Sequence, residues 1–255
     1  MTTWEAGTLA PAPEAAPRGA MLRAQTLAEL RLTVRNGEQV LLNLIIPLGL
    51  LVVLAKVPFV TVTGSRIGFA VPGVLALAIM SSAFTGQAIA TGFERYYGVL
   101  KRLGATPLPR STLLLAKTLS VLTVEVLQLG AICLLGLALG WSPAGNVAGA
   151  LLLIALGTAA FSGLGLLLGG TLRGLTSLAV ANLLWFVLMA LGGVVFPLRE
   201  TGAGEQVLQY LPTAALSDGL RALTQHGDLV GRDVVTLAVW AVLALASAAR
   251  AFRWE

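Results

Sequence analysis

Apolar side chains in this sequence come in long unbroken runs. Residues 126–172 pass without one charged side chain. That length holds two membrane-crossing helices of about 20 residues each and a turn between them. The turn is written in Gly140-Trp141-Ser142-Pro143-Ala144-Gly145-Asn146, where glycine and proline stop any helix. Six such segments can be marked: 39–55, 67–93, 118–140, 146–172, 174–198 and 234–249, with Glu125 the one charge inside them. Backbone within lipid must satisfy its own hydrogen bonds, so each is predicted to be a helix. None alternates with period two, which sets aside a membrane barrel. The first and last are slightly short for a core about 30 Å thick, and their flanking charges are expected to snorkel.

Composition agrees with this pattern. Of 255 residues, 56% are hydrophobic and 11% charged, against about 25% charged in a soluble domain. One cysteine, Cys133, excludes an intrachain disulfide, and one histidine, His226, excludes a histidine-based metal cluster. The net charge of +5 matters less than where the charges lie. If the N-terminus is cytoplasmic, twelve Lys and Arg fall on inner segments and five (Lys56, Arg66, Arg199, Arg221 and Arg232) on outer ones. The positive-inside rule then predicts both termini in the cytoplasm of a multi-pass plasma-membrane protein, in a bacterium the inner membrane.

Residues 1–20 are rich in Ala, Pro and Thr and read as a disordered cytoplasmic tail with no signal peptide; residues 21–255 form one membrane domain. From Met21, Leu22, Leu27, Leu30 and Val34 recur near helical spacing among Arg23, Arg31 and Arg35. This predicts a basic amphipathic helix on the inner leaflet, or a solvated helix leading into the first span. Residues 93–110, between the second and third spans, are the most charged stretch and face the cytoplasm. Thr106-Pro107 reads as an N-cap followed by proline at the first helical position, so a short helix is expected from there toward Lys117. Such a helix suits docking of a cytosolic partner. An ordinary basic inner loop would carry the same charge.

These residues carry a resemblance. Glu94-Arg95, Gly98-Val99-Leu100, Leu103, Thr106-Pro107 and Leu113-Leu114-Leu115-Ala116-Lys117 resemble the inner loop of type-2 ABC transporter permeases, the daunorubicin-resistance-like membrane subunits of drug and polysaccharide exporters. Gly192-Gly193-Val194-Val195-Phe196-Pro197, Leu211-Pro212 and Ser217-Asp218-Gly219-Leu220-Arg221 are similar to that family's outer segment before its last span. Tyr96 departs from the pattern, since many members carry a second acidic residue there. The resemblance implies an all-α fold of six transmembrane helices, with an interfacial helix at the N-terminus, a cytoplasmic coupling helix after Thr106 and short re-entrant outer helices before the last span. It implies a second permease subunit, identical or homologous, and two ABC ATPase subunits that use ATP and Mg, with no cofactor on this chain. Glu94, Arg95, Lys101, Arg102, Thr106, Pro107, Leu108 and Arg110 would couple to the ATPase. The cargo implied is an amphiphilic drug, antibiotic or lipid-linked compound, as in multidrug efflux and antibiotic resistance.

The chain carries no engine of its own that can be read. A phosphate-binding loop needs glycines before Lys-Thr, and at Lys117-Thr118 those positions hold Ser111 and Ala116. No catalytic or metal-binding cluster is legible, and nothing points to nucleic acid. Glu125 lies eight residues past Lys117, about 12 Å into the membrane. A charged carboxylate there costs at least a few kcal/mol, so it is expected to be neutral or hydrogen-bonded, to Asn182 or Gln87. Glu125, with Gln128 one turn on and Asn182, would line the substrate path, or Glu125 would join helices structurally. The alternative function is an ion-coupled secondary transporter using Glu125. Asp218 and Arg221, three apart, are expected to pair on a surface helix. The spaced glycines Gly136 and Gly140, Gly145 and Gly149, and Gly165 and Gly169 are expected to serve close helix packing.

Overall fold

The computed structural model describes residues 15–57, 64–145, 147–194 and 205–252, and among these the chain is helical without a strand. Helix α1 (Arg18–Arg35) leads into α2 (Gly37–Lys56). A continuous rod follows, made of α3 (Arg66–Ile79), a seven-residue π-helical stretch (Met80–Gly86) and α4 (Gln87–Tyr96). After the short α5 (Val99–Gly104) come α6 (Arg110–Ala138), α7 (Val147–Thr171) and α8 (Gly174–Leu191). Then come α9 (Glu205–Leu208), α10 (Pro212–His226) and α11 (Gly231–Ala251).

Five of these elements are long and apolar enough to cross a bilayer: the rod from Arg66 to Tyr96, α6, α7, α8 and α11. Each falls on a predicted span. The first predicted span coincides with α2, whose apolar part, Asn43–Lys56, is shorter. The protein is an all-α membrane protein. Of the sequence expectations, residues 1–14, Phe196-Pro197, Arg199 and Arg253 lie outside the described residues.

The rod is the centre. Every residue of α3 from Ala70 to Ile79 is buried, because it is wrapped by α2, α6, α7 and α10. Glycines set how closely the neighbours approach. A Cβ on Gly165 of α7 would sit 2.6–2.8 Å from the carbonyl oxygens of Phe84 and Ala83, and one on Gly169 would sit 2.6 Å from that of Ala88. Backbone of α7 therefore lies directly on the π-helical stretch and α4. The opposite face of α7 packs along α11, where Gly163 abuts Ala244. By contrast α8 buries only Gly174, Ser177 and Ala181.

Two expectations are corrected at the ends of the bundle. No helix starts at Thr106: α6 begins at Arg110 with Pro109 as its N-cap and runs unbroken through Lys117 into the membrane. A helix entered at Pro107 would require Leu108, the residue before Pro109, to be helical, which the Pro109 ring disfavours. Thr106 instead closes a turn, donating to the Leu103 carbonyl at 2.6 Å. The short helix of this loop is α5, which precedes Thr106. At the other end, Arg221 does pair with Asp218 at 3.0 Å, yet it is buried. Its guanidinium stacks 4.0 Å over the Phe69 ring and donates to the Val194 carbonyl at 2.9 Å. Burial pulls the pKa of Arg221 down from its ordinary value, and Asp218 pulls it back. Helix α10 is thus clamped onto the start of α3 and the end of α8.

Candidate functional site

A cavity of about 620 Å³ opens beside the π-helical stretch, walled by α1, α2, α4, α6 and α8. A π-helical stretch widens the turn and often marks a functional site. Here its Ser81, Ser82 and Thr85 line the cavity, facing Val121 and Val124 of α6 and Asn182, Trp185 and Phe186 of α8. Ser81 both donates to the Leu77 carbonyl and accepts from the Trp185 indole at 2.9 Å, which ties α8 to the rod.

One end of the cavity holds an ion triad. Lys117 Nζ lies 3.0 Å from Glu29 Oε2 of α1 and 2.7–2.8 Å from both carboxylate oxygens of Glu94 of α4. The Lys117 side chain is only 5% exposed. An ammonium that deep needs compensation, and two carboxylates supply it. Helix α1 therefore packs on α6 and is joined to it through the Glu29–Lys117 pair, with none of its own residues fully buried.

Glu125 occupies a different environment. It is 0% exposed and accepts from Ser82 Oγ at 2.7 Å and from Thr158 Oγ1 at 2.5 Å. Its partners are not the Asn182 or Gln87 expected from sequence. Gln87 donates to Ser162 Oγ at 3.1 Å, and Asn182 donates to the Leu178 carbonyl. Gln128 donates to the Asn43 carbonyl at 2.6 Å. Of the three path candidates, Asn182 lines the cavity; Glu125 and Gln128 do not.

The eight residues singled out for partner coupling divide into two groups. Glu94 turns inward to Lys117, and Arg95 donates to the Gly170 carbonyl at 3.1 Å. Lys101, Arg102, Thr106, Pro107 and Arg110 are exposed, while Leu108 is half-buried. A small apolar cluster holds this loop in place: Leu100, Leu113, Leu114, Leu166, Ala248 and Phe252, with Leu103 and Leu108 at its edge. Gly98, at φ +71°, makes the left-handed turn that ends α4 and starts α5. Sequence reading marked Tyr96 only as a departure from the family pattern and passed over Tyr97; they are 66% and 65% exposed beside α5. It also passed over Glu29 and Lys117 as partners. The available signal was a lone lysine just inside an apolar helix, which needs a counter-charge.

The arrangement offers charge, shape and an exposed basic loop. Among the described residues no three or more His, Cys, Asp and Glu side chains gather to hold a metal ion. Residues 36–250 match the family described as ABC-2 family transporter protein. The chain is also 25% identical over 234 residues to the "Putative transport permease YvfS" of Bacillus subtilis (strain 168), covering 88% of this chain and 93% of that one. The matched region takes in every span and the whole cavity wall contributed by α2, α4, α6 and α8, so this chain belongs to the ABC-2 transporter family, as a multi-pass membrane permease.

Proposed function

We propose that the chain is the membrane subunit of an ATP-driven exporter, with the cavity as part of the path for an amphiphilic drug, antibiotic or lipid-linked cargo. A separate ABC ATPase, in two copies, would supply the force and use the ATP and Mg. A second permease, identical or homologous, would complete the path. Both termini and the loop carrying α5 would face the cytoplasm of a bacterial inner membrane. The observation that carries this reading is a continuous mechanical link. Glu94 stands three residues before the exposed Tyr97, Lys117 stands seven after the exposed Arg110, and their ion pair borders the cavity.

In this reading the ATPase grips Tyr96, Tyr97, Lys101, Arg102, Pro107 and Arg110. Closure of the two ATPases on ATP shifts α5, which the apolar cluster fastens to the start of α6. The shift passes through Glu94 and Lys117 to α1 and to the cavity wall, and alternating access follows. The ion-coupled alternative asks for Glu125 on a wet path. Its full burial and its bonds to Ser82 and Thr158 fit a helix-joining role better.

The test is co-purification with an ABC ATPase encoded beside this chain. Charge reversal of the exposed face of α5, Lys101→Glu with Arg102→Glu, is expected to abolish attachment. Unchanged attachment, together with unchanged cargo flux, would overturn the docking assignment.

A further inference from the structure

The formal charge of the cavity wall is unbalanced. Its ionisable residues are Glu29, Glu94 and Lys117, formally two negatives against one positive. The Lys117 ammonium is committed to both carboxylates. The Trp185 indole N–H is committed to Ser81, and the Gln87 amide nitrogen to Ser162 and the Lys117 carbonyl. Acceptor capacity is left over. Gln87, 5% exposed, lines the cavity and leaves Oε1 without a partner. An amide oxygen can only accept. Thr85 and Thr91 line the cavity too and leave their hydroxyls unpartnered, each able to accept or to donate. Against this polar side stand Phe93, Trp185 and Phe186, whose rings offer a flat apolar surface with electron-rich faces.

We infer that the cavity binds an amphiphilic organic cation, its aromatic or aliphatic body against Trp185 and Phe186 and its N–H groups toward Glu29 and Glu94. An anion would face two carboxylate side chains there, with the one ammonium already taken. A purely apolar ligand would leave the Gln87 oxygen unmet. The inference narrows the transport reading to a cargo class and rests on it for the physiological role of the site, but binding itself needs neither ATP nor a partner.

The test therefore uses the full chain alone, in nanodiscs of zwitterionic lipid, with empty nanodiscs as background. Three dyes are titrated: ethidium (a planar cation with N–H donors), neutral Nile red and anionic eosin. Ethidium is expected to bind saturably and at least about tenfold tighter than Nile red, the scale set by one unbalanced charge in a partly desolvated site. Eosin is expected neither to bind nor to compete. Glu29→Gln removes the excess charge, and should weaken ethidium about tenfold while leaving Nile red unchanged. Ile89→Trp fills the cavity and should remove ethidium binding. Eosin binding preferred to ethidium, or ethidium binding indifferent to both substitutions, would overturn the inference. If Glu29→Gln does not fold, the ranking of the three dyes on the unaltered chain decides. Selective ethidium binding without ATP-driven ethidium flux in the ATPase complex would sink the transport reading and keep the site. ATP-driven flux of other cargo with no ethidium binding would do the reverse.

Discussion

Helix α6 carries two buried charges eight residues apart, and they are kept in opposite ways. Glu125 is sealed: two short hydroxyl side chains, Ser82 and Thr158, reach it from the π-helical stretch and α7. Lys117 is strung between long side chains from α1 and α4, at the edge of a cavity and close to an exposed loop. Short partners fix a helix junction. Long charged partners can re-pair when the helices that carry them move. The difference suggests that Glu125 serves stability and that Lys117 serves coupling, although the position in the membrane first draws attention to Glu125.

The largest expected effect comes from breaking the triad. Lys117→Met leaves two half-buried carboxylates without a cation, and should destabilise the protein by about 2–3 kcal/mol. Thermal unfolding in detergent would show it, and hydrogen exchange should show α1 losing protection first. An unchanged melting temperature would remove the triad as the anchor of α1.

Next in size is the close approach of α7 to the rod. Gly165→Ala presses a methyl group against the Ala83 and Phe84 carbonyls, at a cost of about 1–3 kcal/mol. Because Thr158 and Ser82 sit on the two surfaces being pushed apart, the effect should shrink when Glu125→Gln is already present, which a double-mutant cycle can read. Full additivity would mean that the glycine contact and the carboxylate junction are independent.

Glu125→Gln alone keeps the shape and one acceptor, and should cost about 1 kcal/mol with no change in cargo preference. A changed preference, measured by flux with two competing cargoes, would return Glu125 to the path. The smallest expected effect on stability belongs to Arg102→Glu on the exposed face of α5, within about 0.5 kcal/mol, although ATPase attachment should suffer most there.

Much of this fold was legible because uncharged runs of membrane length have one structural solution. The spans and the turn around Pro143 follow from that rule and from proline chemistry. The Thr106-Pro107 reading failed on a neighbour: Pro109, two residues on, vetoes helix at Leu108. Half of the loop surface was legible, since Lys101, Arg102 and Arg110 are exposed as their charge suggests. Glu94 and Arg95 looked the same in sequence and turn inward. The triad was illegible for a plain reason: Lys117 is 88 positions from Glu29 and 23 from Glu94, and no local pattern records which distant carboxylates meet it. The cavity is lined in part by the π-helical stretch, which no spacing of side chains announces.

The most direct measurement separates attachment from work. With Glu94→Gln, the ABC ATPase should still co-purify and hydrolyse ATP, because the exposed face of α5 is untouched, while ATP-driven cargo flux into sealed vesicles falls at least about tenfold, the scale of one weakened charge-assisted contact. Wild-type flux in that variant would contradict the assignment of the Glu29–Lys117–Glu94 triad as the joint between the loop and the cavity.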